Sequence, residues 1–308
     1  MAASALGQAQ AAHPLDRFEP IDTVPYRVDY QGWITVNATV NGDTPNDFIV
    51  DSGATITSIF ANLAARRPFP AAERGPIRIL GLAGAEQLPA FRLGEISVSS
   101  RRLHDHVGVI LPDWQAPRET PQGVLGLDLL TQYTVMVDAE TSELKFYSRQ
   151  NATPQRRTNG WTSTEMEPVF VAEQATPLHQ IHVNVRGLEI PCVVDLGASG
   201  TIFNGPALRA MSAGIRINSW GLRGSSQNSR LNDVFDNTQR AVAVKISRLR
   251  IGNTRWRNKI FLVYDAEIFQ EMGVSAKPYC LLGADLLRDR SFIFDFANEN
   301  FYVGPEAY

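Results

Sequence analysis

Two short stretches place an acidic residue two positions before a glycine: Asp51-Ser52-Gly53-Ala54 and Asp195-Leu196-Gly197-Ala198. Each follows an apolar run, Phe48-Ile49-Val50 and Cys192-Val193-Val194. A carboxylate delivered by an apolar strand to a loop can reach a ligand. Two such carboxylates brought together can do acid–base chemistry, because like charges about 3 Å apart cannot both ionise and the pair holds one shared proton. One member then serves as base and the other as acid. A single Asp-x-Gly is ordinarily a turn whose carboxylate bonds its own backbone, so the doubling carries the argument.

The repetition extends through each half of the chain. Six residues after each Asp stands a threonine, Thr57 and Thr201. Further on come Gly81-Leu82-Ala83-Gly84 and Gly221-Leu222-Arg223-Gly224, then Val124-Leu125-Gly126-Leu127-Asp128 and Leu281-Leu282-Gly283-Ala284-Asp285, then strand-like segments holding Asp138 and Asp295. An ordered repeat of this length predicts two related lobes; the shorter periods of a solenoid do not fit. A chain of 308 residues has room for two such units.

The elements that must position the carboxylates are hairpins. Ile34 to Val40 alternates in polarity, Asn41-Gly42-Asp43 is a turn, and Asp47 to Val50 returns to the first Asp. Gln180 to Val185, the turn at Arg186-Gly187, and Ile190 to Val194 do the same in the second half. Longer glycine-centred hairpins are expected at 78–96 and 218–251, and short helices at 58–66, 127–132, 207–213 and 284–289. The fold class is therefore mainly β.

Composition excludes several functions. Lys and Arg number 29 against 32 Asp and Glu, a net charge of −3 with no basic stripe, so nucleic acid is not an expected partner. No apolar stretch approaches the ~18 residues of a membrane-spanning helix. Two cysteines, Cys192 and Cys280, are too few for a disulfide scaffold or a structural zinc site. His104-Asp105-His106 is expected on an exposed strand rather than at a metal, and no metal or cofactor is expected. The small, alanine-rich residues 1–12 resemble the tail of a removed secretory signal or a disordered start. Export, to the periplasm or beyond, is the expectation that follows.

The doubled Asp-x-Gly-Ala after an apolar strand, answered each time by an apolar-apolar-Gly strand, resembles the aspartic proteases of the pepsin and retroviral type. The resemblance covers the chain from about residue 25. It implies two homologous barrel-like lobes with a cleft between them, divided as a 1–24 tail, a lobe over 25–149, a crossover over 150–168 and a second lobe over 169–308. It makes Asp51 and Asp195 the catalytic dyad of an endopeptidase acting on extended protein or peptide substrates, in a monomer. Gly53 and Gly197 become the loop glycines, close to the opposite carboxylate and with unusual φ values, and Gly126 and Gly283 the crossing glycines. Gly81, Leu82, Ala83 and Gly84, with Gly221, Leu222, Arg223 and Gly224, become flap residues contacting substrate. Ala54 and Ala198, where pepsin-like enzymes carry a hydroxyl, give the chain a retroviral look, that of two lobes fused in place of a homodimer. The resemblance also makes the strands before Asp195 and before Gly283 neighbours, leaving Cys192 and Cys280 either bridged or as two buried thiols.

One position departs from the family pattern. The residue after each Asp is ordinarily Thr or Ser, whose hydroxyl bonds the opposite lobe's backbone beneath the dyad; Ser52 keeps that capacity and Leu196 lacks it. Asp128, Asp285, Asp138 and Asp295 are expected to cap helices or bond turns. The alternative to an active enzyme is a pseudoprotease that only captures peptides; retention of both aspartates argues against it.

Overall fold

The computed structural model describes residues 13–82, 84–113, 120–156, 158–212, 228–232 and 238–307. In the first half, β1 (Asp22–Val28), β2 (Ile34–Val40), β3 (Asn46–Val50) and β4 (Ser58–Phe60) lead to α1 (Ala61–Ala64). Then follow β5 (Ile77–Gly81), β6 (Gly84–Leu88), β7 (Ala90–Val98), β8 (Arg101–Leu111), β9 (Gly123–Leu125), α2 (Leu127–Leu130), β10 (Tyr133–Asp138) and β11 (Glu143–Ser148). The second half opens with β12 (Thr162–Glu165), β13 (Glu167–Val171), β14 (Gln174–Val185), β15 (Leu188–Val194), β16 (Ile202–Phe203) and α3 (Gly205–Ser212). It continues with β17 (Asn228–Asn232), β18 (Thr238–Ile251), β19 (Thr254–Val263) and α4 (Glu267–Glu271), and ends with β20 (Cys280–Leu282), α5 (Ala284–Leu287), β21 (Arg290–Asp295) and β22 (Asn300–Glu306).

The internal repeat reappears as topology. Strands β2-β3-β9-β4-β8-β7 form a ring closed by pairing of β7 with β2, and β14-β15-β20-β16-β19-β18 form a second ring closed by β18 on β14. Each ring contains the same unusual element, a parallel pairing of the Asp-bearing strand with the crossing strand. In the first lobe β3 pairs with β9, Val50 beside Leu125; in the second β15 pairs with β20, Val194 beside Leu282. These strands are apolar throughout because both faces are covered: Phe48, Ile49, Val50, Val193, Val194, Leu281 and Leu282 are all buried. The fold is thus the mainly β, two-lobe architecture expected.

The turns that set hairpin register use left-handed backbone. Asn41 and Gly42 have φ of 54° and 71°, and Arg186 and Gly187 have φ of 57° and 94°, the primed geometry that matches strand twist. The lobes are joined by strands that leave their rings. β12, β22, β21, β10, β11 and β1 lie side by side, with β10 of the first half paired to β21 of the second through Thr134–Asp295 and Val137–Phe292.

Two stretches contain more structure than their composition suggests. From His13 the expected tail is packed, with Leu15 fully buried among Met136, Tyr147, Ile293 and Tyr302, and β1 begins at Asp22. The expected crossover contains β12, paired with β22 through Thr162–Val303 and Ser163–Tyr302. Polar Thr and Ser alternate there on an edge strand, which a composition-based reading sees as a loop. No helix among the described residues is long and apolar enough to cross a membrane.

Cys192 and Cys280, Cα partners in the β15–β20 parallel pair, are joined by a disulfide across 88 residues of sequence. Both are fully buried. Cross-linking so long a loop restricts the unfolded chain. Replacing both cysteines by serine is expected to cost about 2–4 kcal/mol of stability, measured by denaturant titration. Non-reducing mass spectrometry should find no alkylatable thiol in the unfolded parent protein.

Candidate active site

The two aspartates end β3 and β15, and the ladders hold their backbones: Asp51 N–H donates to Leu125 O at 3.0 Å, and Asp195 N–H to Leu282 O at 2.9 Å. The crossing strands thereby fix where each loop starts. The loops then meet, each glycine against the opposite carboxyl. A Cβ on Gly53 would lie 2.3 Å from Asp195 Oδ1, and one on Gly197 would lie 2.2 Å from Asp51 Oδ2. Neither glycine has positive φ, which corrects the expectation of unusual backbone angles: space alone demands glycine here. Gly126 and Gly283 are constrained likewise, a Cβ meeting the Ile56 carbonyl carbon at 2.8 Å or that of Gly200 at 2.5 Å.

The pair is not electrostatically symmetric. Asp51 Oδ1 accepts N–H bonds from Gly53 at 2.7 Å, Gly197 at 3.1 Å and Ala54 at 3.2 Å. Asp195 Oδ1 accepts from Ala198 at 3.1 Å. Burial pushes both carboxyls above the ordinary aspartate range. At Asp195 the charge of Asp51 adds to burial and carries the group up to about 8, whereas backbone N–H donors pull Asp51 back down. Asp51 is therefore the better-supported anion and Asp195 the holder of the shared proton. Ala54 and Ala198 contribute N–H groups where a hydroxyl would have donated a further bond.

Beneath the pair the cross-lobe network is one-sided, as the sequence implies. Ser52 Oγ donates to Val194 O at 2.7 Å and accepts from Leu196 N–H at 3.1 Å. One hydroxyl thus satisfies both backbone groups flanking Asp195. Leu196 answers only with packing: it is fully buried in the main core cluster.

Three supporting features escape the sequence reading. The indole Nε1 of Trp33, from the turn before β2, donates to Gly197 O at 2.7 Å. That carbonyl shares its peptide group with the Ala198 N–H bonded to Asp195, so the indole strengthens the donor that the carboxyl receives. With the two turns aligned, Leu178 stands where Trp33 does, so the repeat offers no signal for it. The other two features are matched threonine–aspartate pairs. Thr57 N–H and Oγ1 donate to Asp128 at 2.9 and 2.6 Å, and Thr57 Oγ1 accepts from Gly126 N–H at 2.9 Å. In the second lobe Thr201 Oγ1 donates to Asp285 at 2.7 Å and accepts from Gly283 N–H at 3.1 Å. Asp128 and Asp285 therefore clamp the loops to the crossing strands instead of capping α2 and α5, whose N-caps have no side-chain bond. Their recurrence was the available signal. His106 also turns inward, its Nε2 2.7 Å from Thr57 O; His104 remains exposed.

The first candidate flap is a separate two-stranded hairpin, β5–β6, with Gly81 opposite Gly84. It reaches the second lobe: Leu82 packs against the cluster of Ile202 and Ala241, its carbonyl accepts Glu267 N–H at 3.0 Å, and Arg78 pairs with Glu271 at 2.7 Å. Ala83 and the second candidate flap, Gly221, Leu222, Arg223 and Gly224, lie outside the described residues.

Residues 36–129 match the family model described as aspartyl protease. Over that stretch the chain is similar to an aspartic protease family. The match lies within the first lobe, and the second lobe repeats its ring, loop and crossing strand. No curated protein matches the chain.

Two substitutions probe the support beneath the loops. Ser52→Ala strands a buried N–H and a buried carbonyl and is expected to cost about 1–3 kcal/mol, read from chemical denaturation, whereas Ser52→Thr should retain most of the stability. Trp33→Phe removes one donor from Gly197 O. The Asp195 carboxyl, followed by ¹³C NMR, should then titrate at higher pH than in the parent, because the Ala198 N–H becomes a weaker donor. An unchanged titration would separate the indole from the electrostatics of the site.

Proposed function

We propose that the protein is an endopeptidase in which Asp51 and Asp195 activate water against the peptide bonds of extended polypeptides. The observation that carries this reading is the mutual seating of each carboxyl on the other lobe's glycine. It brings two buried acids together with unequal backbone support, the arrangement that splits a pair into one base and one acid.

In this mechanism Asp51 is ionised and Asp195 protonated. Asp51 takes a proton from a water held between them, the water oxygen bonds to the scissile carbonyl carbon, and Asp195 gives its proton to the carbonyl oxygen. The tetrahedral gem-diol collapses as the C–N bond breaks: Asp51 gives the proton it gained to the amine nitrogen, Asp195 takes a proton back from a gem-diol hydroxyl, and the carboxylic acid and amine products leave. The proton count returns to one per pair. The β5–β6 hairpin supplies strand edges along which an extended substrate can add. We assign the working lobes to 25–149 and 169–308, acting as a monomer. We also assign the protein to an oxidising compartment outside the cytoplasm, a reading supported by the buried disulfide.

Asp51→Asn and Asp195→Asn should each lower kcat/KM on an unfolded protein substrate by about 10²–10⁴-fold or more. Either variant cleaving at near-parent rates would overturn the assignment. The stability change has the opposite sign. Because Asp195 is raised from 3.8 to about 8 in the folded state, the folded protein binds the proton more tightly than the unfolded chain. The stabilisation from that proton is complete below the unfolded value, declines as pH rises, and is gone above the folded value. The amide of Asp195→Asn cannot ionise, so this variant should melt above the parent at pH 8 and lose the advantage towards pH 4. Activity should peak at mildly acidic to near-neutral pH, with the base-limb pKa set by the dyad.

A further inference from the structure

Away from the aspartate loops, the β18–β19 hairpin gathers like charge. Its strands pair in register around Gly252-Asn253, with Arg248 opposite Arg257 and Arg250 opposite Arg255. Strand alternation sends Leu249, Ile251, Thr254 and Trp256 into the core. All four arginines fall on the other face, three exposed and Arg250 half-buried. Side chains directly opposite in an antiparallel pair are close neighbours, and like charges there weaken the pairing. Among the described residues none of the four makes a salt bridge with a carboxylate. The array is therefore a cost to the isolated fold.

The same face is concave. Ser247, Arg248, Arg255, Arg257 and Asn258 line a depression of about 340 Å³, beside which the left-handed backbone of Asn258, φ 54°, interrupts the regular strand. We propose that this depression binds a multivalent oxyanion of the phosphate type, presented by a soluble ligand or by a lipid headgroup. Guanidinium forks match pairs of phosphate oxygens, the Ser247 hydroxyl and Asn258 amide add neutral donors, and a shared anion turns the repulsion across the hairpin into attraction. A multivalent oxyanion offers enough oxygens for three converging guanidiniums; a single carboxylate does not. The site lies on the second lobe's outer hairpin and is independent of the dyad.

Isothermal titration with sodium pyrophosphate at low ionic strength tests the site, alongside co-sedimentation with phosphatidylcholine vesicles containing phosphatidic acid. The parent is expected to bind, more weakly as salt is added, and Arg255→Gln/Arg257→Gln to bind at least tenfold more weakly. Arg92→Gln, whose arginine pairs with exposed Glu73 elsewhere, should bind as the parent does. Without ligand the double variant should melt no lower than the parent, because a repulsive contact has been relieved. Pyrophosphate binding assigns a soluble phosphate ligand, and vesicle binding without it assigns a headgroup. The proposal fails if neither probe binds, if the double variant retains parental affinity, or if it melts well below the parent, which would make the arginines structural.

Discussion

Each half of this protein leaves a hole in its aspartate loop that the other half's carboxylate fills. Gly53 lies against Asp195 and Gly197 against Asp51, at distances that no Cβ could share. The contact buries two acids, and burial alone makes the anion costly. Everything around the loops can be understood as meeting that cost without closing the space. Backbone N–H groups supply the compensation because they need no volume of their own. They do so unequally, three on Asp51 against fewer on Asp195, so Asp51 is the better supported as an anion.

Loops that carry so much constraint have to be held from several directions. Crossing strands fix their starts by ladder bonds, Thr57–Asp128 and Thr201–Asp285 fix their ends to the crossing glycines, and Ser52 ties one lobe to the other. The six-strand array running from β12 to β1 joins the halves away from the cleft. That array explains how a single hydroxyl suffices beneath the dyad. Leu196 offers no donor on its side, but the covalent chain and the β10–β21 pairing hold the halves in register, and the leucine side chain is buried in the core cluster.

How much of this was legible in the chain depends on what each feature leaves as a pattern. The aspartates, loop glycines, crossing glycines and turn residues each recur at matching places in both halves, so the repeat exposed them. The two-lobe fold followed from their order. Asp128 and Asp285 recurred as well, yet their position just inside a short helix suggested capping; only the approach of the threonine loops shows them to be clamps. Trp33 occurs once, and its donor reaches across 164 positions, a separation at which sequence carries no sign of contact. β12 hid for a different reason: an edge strand with alternating Thr and Ser buries too little apolar surface to stand out from a loop.

The arginine array on β18–β19 shows the same limit from the opposite side. Arg248, Arg250, Arg255 and Arg257 are separated in sequence by buried residues, so no run of charge appears. Antiparallel pairing folds that spacing onto itself and makes neighbours of Arg250 and Arg255 and of Arg248 and Arg257. A net charge of −3 describes the whole chain and averages such local fields away, whereas attraction of an anion is governed by charge within about a Debye length, roughly 8–10 Å at physiological salt. Strand pairing, more than composition, therefore decides which charges act together, just as it brings together two aspartates 144 positions apart.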